Sequence, residues 1–159
     1  MEIHYSVKDS DNLLSYNQWS CGDYSKNLDG FTLNGANTTN NIVKLDNSNP
    51  TKGDYNILMN RIASAASYLF LKFAKSITEE DYGKTLTVTA DIKNNLTGIA
   101  KIQIVADSTV VTEIPQNASN SFSVSKTIPE NTESIECQIT FAGAITGKLY
   151  IDNLRLTIQ

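Results

Sequence analysis

The sequence predicts an all-β chain folded as an antiparallel β-sandwich, and three observations carry that reading. Apolar and polar residues alternate with period 2 over several short stretches, turn formers punctuate them at roughly 8 to 12 residues, and no long amphipathic helical pattern occurs. The clearest stretch is KTLTVTADIK (84–93), where Leu86, Val88, Ala90 and Ile92 share one face and Thr85, Thr87, Thr89 and Asp91 the other.

Composition narrows the class further. With 159 residues, 40% hydrophobic and 19% charged, the chain is rich in Asn, Ser and Thr, which suits strands joined by polar turns. A net charge of −4, two arginines (Arg61 and Arg155) and no basic run argue against nucleic acid as a partner. No apolar run reaches the roughly 20 residues of a membrane-spanning helix, so membrane insertion is not expected. No signal peptide is read in MEIHYSVKDSDNLL. Cys21 and Cys137 form either one disulfide or two free thiols; Cys137 sits on the apolar parity of IECQITF, which favours a buried thiol. Asn-Xaa-Ser/Thr triplets at Asn37, Asn95 and Asn117 are what chance supplies in so polar a chain.

In chain order, residues 1–11 alternate weakly and read as a leader or an edge strand. GFTLN (30–34) and NIVKLD (41–46) read as strands, and NSNPTKGDYN (47–56) as a loop. YNILMNRI (55–62) is a strand whose parity is ambiguous, because polar and apolar residues mix on both faces. SYLFLKFA (67–74) could be helical, but its length and aromatic content favour a strand. In ITEEDYGK (77–84) Thr78 caps a single turn that Gly83 ends. After NNLTG (94–98), read as a turn, IAKIQIV (99–105) puts Ala100, Ile102 and Ile104 opposite Lys101, Gln103 and Val105. VVTEI (110–114), SFSVS (121–125) and Ile135 to Phe141 complete the strands before the last one.

That last stretch, GKLYIDNLRLTIQ (147–159), organises the rest. Leu149 and Ile151 lie on one parity, whereas Leu154, Leu156 and Ile158 lie on the other. The slip at Asp152 and Asn153 predicts a β-bulge, since otherwise one apolar set would face solvent. Such a strand belongs inside a sheet, and it is expected to pair near the N-terminal segment.

Three pieces in this order, an NLL…W opening, TEEDYGKTLTVTADIK and GKLYIDNLRL, resemble the carbohydrate-binding modules of the galactose-binding, jelly-roll type grouped with families 4, 9 and 22. Similar domains occur on tail and baseplate proteins of phages. The resemblance implies a jelly roll in a single domain over 1–159, within a larger multidomain protein that is extracellular or virion-associated. It implies a polysaccharide or cell-surface glycan as partner, bound along the concave face of one sheet or at its rim. It also implies a structural calcium, with Asp152 in the position of a metal ligand.

Sugar binding needs flat aromatic faces and flanking polar side chains. The ligand-binding candidates are therefore Trp19, Tyr24, Tyr55, Arg61, Tyr68 and Gln138. Trp19 is either an exposed platform or a plug under a loop, and Arg61 is the best polar anchor if its strand turns it outward. Catalysis is not expected. His4 is the only histidine, Glu79 to Asp81 diverge on one turn, and no zinc, phosphate-loop or dinucleotide motif is present. The rival to a glycan-binding module is a structural or adhesion domain of a phage tail or surface assembly that binds protein.

Overall fold

The computed structural model describes residues 12–15, 18, 27–36, 38–64 and 68–159. Among them, ten strands form two five-stranded antiparallel sheets. The first sheet takes the order β1 (Thr32–Asn34), β4 (Leu69–Ser76), β9 (Ser134–Phe141), β6 (Ala100–Val105) and β7 (Thr109–Ile114). The second runs β2 (Asn41–Asp46), β3 (Asn56–Arg61), β10 (Gly147–Ile158), β5 (Thr85–Leu96) and β8 (Ser119–Thr127). The chain is an all-β jelly-roll sandwich, as the alternation and the resemblance together predicted.

The core lies between the sheets. Leu69, Leu71, Ala100, Ile102, Ile104 and Ile139 face Ile57, Met59, Leu86, Val88, Leu149 and Ile151, all buried. Each buried Leu or Ile of this kind contributes roughly 1.5 to 3 kcal/mol through apolar area removed from water. Strand parity therefore decides which residues are left for function: the odd-numbered residues of β6 and the even-numbered ones of β4 and β9 point away from the core.

The expected bulge is present in β10. Asp152 pairs with Asp91 and Arg155 with Thr89, so β10 advances three residues while β5 advances two, and Asn153 takes a positive φ of 48°. The extra residue returns Leu154 and Leu156 to the core. On its other side β10 pairs with β3 from Gly147 to Ile151. Where β3 ends, the N-terminal segment takes over: Leu13 N–H donates to the Leu156 carbonyl (2.8 Å), and the Asn12 amide donates to Leu154 and accepts from Leu156. The last strand is thus central to its sheet, with the N-terminal segment beside only part of it.

Some boundaries differ from the sequence reading: β8 runs two residues further at each end than 121–125, and β1 starts at Thr32 rather than at residue 30. The stretch 94–98 is not wholly a turn, because β5 continues through Leu96. Asn94 is fully buried there; its Nδ2 donates to the carbonyls of Gly98, Ile114 and Pro115, and its Oδ1 accepts from Leu96 N–H. A turn-forming residue in sequence terms works as a side-chain staple once three carbonyls converge on it. The adjacent Gly147 is required, since a Cβ there would come 2.5 Å from the Asn95 carbonyl oxygen and φ is +113°. The Thr78 turn is a short 3-10 helix, Glu79–Asp81, in which Asp81 Oδ2 accepts from Thr78 N–H.

Cys137 is a free, fully buried thiol on β9; Cys21 lies outside the described residues. Burial, with the Glu136 charge adding to it, pushes the Cys137 thiol up from 9.0 to about 12. Between those values the unfolded chain releases the thiol proton and the folded chain keeps it, so stability falls as pH rises through this window. Cys137→Ala is expected to flatten that part of the stability profile in urea titrations at successive pH values. The native wild-type thiol is also expected to resist iodoacetamide until denaturant is added.

Candidate functional site

The outward face of the first sheet presents its side chains in rows set by register. Phe70, Thr140, Lys101 and Glu113 form one row across β4, β9, β6 and β7, and Lys72, Gln138, Gln103 and Val111 form the next. Tyr68, just before β4 and 52% exposed, stacks on Phe70 with centroids 5.5 Å apart and planes 20° from parallel. Lys72 Nζ stands 4.8 Å over the Phe70 ring and 3.5 Å from Glu136. Gln103 donates its amide hydrogen to Gln138, and Gln138 donates in turn to Glu136. The amides are thereby oriented in a chain.

Tyr68 is held from behind. Gly35, at φ +77°, lets the β1 end approach so closely that a Cβ would lie 2.5 Å from the Tyr68 carbonyl oxygen. Beside Tyr68 a pocket of about 280 Å³ opens between Ile99, Ile145, Phe141 and the Lys101–Glu113 pair. An aromatic pair, polar amides and two charged side chains therefore share one open surface. Such a surface can stack on the C–H face of a sugar ring and bond its hydroxyls.

Of the six ligand-binding candidates, the fold brings Tyr68 and Gln138 onto this one face. Gln138 is 7% exposed, so little of it reaches solvent. Tyr55 is half-buried ahead of β3, in the other sheet. Trp19 and Tyr24 lie outside the described residues. Arg61 is corrected: it is 1% exposed, because its strand turns it inward with Ile57 and Met59. Its Nε donates to Asn41 Oδ1 (2.8 Å), its Nη1 to the Gly143 carbonyl (2.9 Å), and its guanidinium lies 5.2 Å over Phe141. Burial pulls its pKa down from the ordinary value. A guanidinium so engaged is part of the core and is not offered to a ligand.

Sequence reasoning passed over Phe70, Lys72, Lys101 and Gln103. Outward parity for Lys101 and Gln103 was readable from IAKIQIV, and Tyr68 and Phe70 share a parity in SYLFLKFA, but only the register shows that Gln103 faces Gln138.

Asp152 sits on the outward face of the second sheet, yet it is 2% exposed. Its Oδ2 accepts from the backbone N–H groups of Thr51 and Lys52, both at 2.7 Å, and from Thr51 Oγ1; its Oδ1 accepts from Asn153 N–H. Calcium asks for six to eight oxygen ligands. Among the described residues no group of three or more His, Cys, Asp or Glu side chains could hold a metal, and the Asp152 oxygens face N–H donors. This donor set fits an anchor for the 47–55 loop rather than a cation site.

Fold and face together define a class by architecture, a jelly-roll β-sandwich with a polar and aromatic surface on one sheet. No family model matches the chain, and no curated protein matches it. Solved structures do. The enzymatically active domain of tailspike protein 4 of bacteriophage CBA120 superposes with a TM-score of 0.73 at 18% identity, over 94% of this chain and 22% of that one. A family 61 carbohydrate-binding module in complex with β-1,4-galactotriose gives 0.62 at 11% identity, over 94% of this chain and all (100%) of that one. The CBM22-1 and GH10 modules of a Clostridium thermocellum xylanase, complexed with xylohexaose, give 0.61 at 16% identity, over 84% and 27%. This chain thus spans about a fifth of the tailspike chain and about a quarter of the xylanase chain. At these identities the likeness establishes the fold.

Proposed function

We propose that the chain is a non-catalytic glycan-binding module that tethers a larger, extracellular or virion-associated protein to a polysaccharide or cell-surface glycan. The observation that carries this reading is the outward face of the first sheet. There the Tyr68–Phe70 stack stands beside the Gln103–Gln138–Glu136 chain of side-chain hydrogen bonds. The saccharides named with two of the structural neighbours support it. Binding is by stacking and hydrogen bonding on a preformed surface, weak per site and strengthened by multivalency in the parent protein.

Affinity electrophoresis in gels containing β-glucan, xylan, galactan, mannan or bacterial cell-wall polysaccharide tests the proposal. One of these is expected to retard the protein equally with calcium and with chelator. Gln138→Ala is expected to weaken that retardation about fivefold, the loss of roughly one hydrogen bond of 1 kcal/mol. If none of the polysaccharides retards the wild type, the glycan reading fails.

The likeness to a tailspike domain favours one other reading, a spacer or adhesion domain that binds protein. It predicts self-association, so a clean trimer on size exclusion with no polysaccharide retardation would select it.

A further inference from the structure

We propose a second ligand site on the opposite side of the sandwich, a cleft on the outward face of the second sheet that takes a terminal pyranose through a vicinal diol. The cleft has a volume of about 600 Å³, within the range of small-molecule sites. Cross-strand pairs build its floor: Tyr150 lies opposite Lys93, and Asp152 opposite Asp91. The next strand, β8, supplies one wall with the exposed Ser119, opposite Lys93, and Ser121, opposite Asp91. The 47–55 loop supplies the other.

The loop is fastened over the sheet by the floor residues themselves. Asp152 accepts the Thr51 and Lys52 N–H groups, Asp91 Oδ2 accepts the Thr51 hydroxyl at 2.7 Å, and Lys93 Nζ donates to Asn49 Oδ1 at 2.8 Å. The cleft is therefore preformed, and a ligand need not order it. With the loop across one side, it admits the end of a glycan rather than its middle.

Counting what these bonds leave over gives the ligand chemistry. Asp91 Oδ2 is occupied by Thr51 and Asn153, whereas its Oδ1 has no partner among the described residues. Lys93 has three N–H donors and uses one on Asn49. Asp91 and Lys93 are two apart on one strand and point the same way, so a carboxylate acceptor stands beside ammonium donors about 7 Å along the strand. Two adjacent ring hydroxyls meet that pair, one donating to Asp91 and its neighbour accepting from Lys93, with the Ser119 and Ser121 hydroxyls completing the set. The Tyr150 ring is covered, only 9% exposed with Lys93 Nζ 5.8 Å above it, so hydrogen bonds rather than stacking select the ligand.

The test is an amide chemical-shift titration of the wild-type protein with methyl glycosides of glucose, galactose and mannose at tens of millimolar. Tetrahydropyran-2-methanol, a ring without a vicinal diol, serves as control. At least one glycoside is expected to shift the amides of Asp91, Lys93 and residues 119–121, and the control is expected to leave them in place. Ser121→Trp, which fills the cleft from an exposed strand position that tolerates aromatics, is expected to abolish those shifts. Lys93→Met, which removes the donors with little change of volume, should reduce them at least severalfold and serves if the tryptophan variant does not fold. Silence at these amides with every glycoside overturns the second site, as do equal shifts from the control or unchanged shifts in a folded variant. Because the reporters of the first sheet are different residues, Lys101, Gln103 and Gln138, failure of this site is read separately from failure of the glycan-binding face.

Discussion

Arg61→Ala is expected to destabilise the protein by about 3 to 5 kcal/mol in urea unfolding. Two charge-assisted hydrogen bonds, each contributing roughly 1.5 to 3 kcal/mol, are lost together with the packing of the side-chain stem on Phe141. The substitution also leaves the buried Asn41 Oδ1 without its donor, and an unsatisfied buried acceptor costs more than a removed pair. For a domain whose total stability is on the order of 5 to 15 kcal/mol, that is a large share. Arg61→Met, which keeps the stem, separates the two contributions and is expected to lose less. A change below about 1 kcal/mol for the alanine variant would show that the inward placement of the guanidinium is wrong and would return Arg61 to the surface.

Tyr68→Ala is expected to lower affinity for the retarding polysaccharide by roughly thirtyfold, the effect of removing an aromatic anchor of about 2 kcal/mol. The residue is more than half exposed and, among the described residues, stacks on Phe70 alone, so little folded-state packing is lost. The unfolding midpoint should stay within a few tenths of a kcal/mol of wild type. Tyr68→Phe keeps the flat face and is expected to retain most of the affinity. Equal binding by wild type and the alanine variant would remove the first sheet's outward face from consideration, whatever polysaccharide is bound.

Most strands were legible because one face of each is dry. From Leu86 to Ile92 and from Ala100 to Ile104 the period-2 alternation marks both the element and its buried side. The bulge was legible for the same reason: a phase slip between Ile151 and Leu154 has only one inexpensive repair in a core strand. Legibility failed where both faces are covered. In β3, Asn56 and Leu58 are as buried as Ile57 and Met59, so no alternation remained to say which way Arg61 points. Nor does a local pattern carry register. Tyr68 and Gln138 were separately recognisable as polar or aromatic residues on outward parity, but their meeting on one face depends on β4 pairing with β9 across some seventy residues.

The central position of β10 governs the order in which the sandwich can be made. β3 and β5 never pair with each other; each pairs with β10 instead. Without residues 147–158 the second sheet can form only as two separate halves, β2–β3 and β5–β8. Each half then carries an open apolar edge, a template for mispairing between chains. Folding of this sheet is dominated by contacts distant in sequence and is expected to be correspondingly slow, in the millisecond-to-second range of comparable β-sandwiches. A chain interrupted before Gly147 would leave both edges open permanently, so proteolysis or a premature stop there yields an aggregation-prone fragment instead of a smaller binding module.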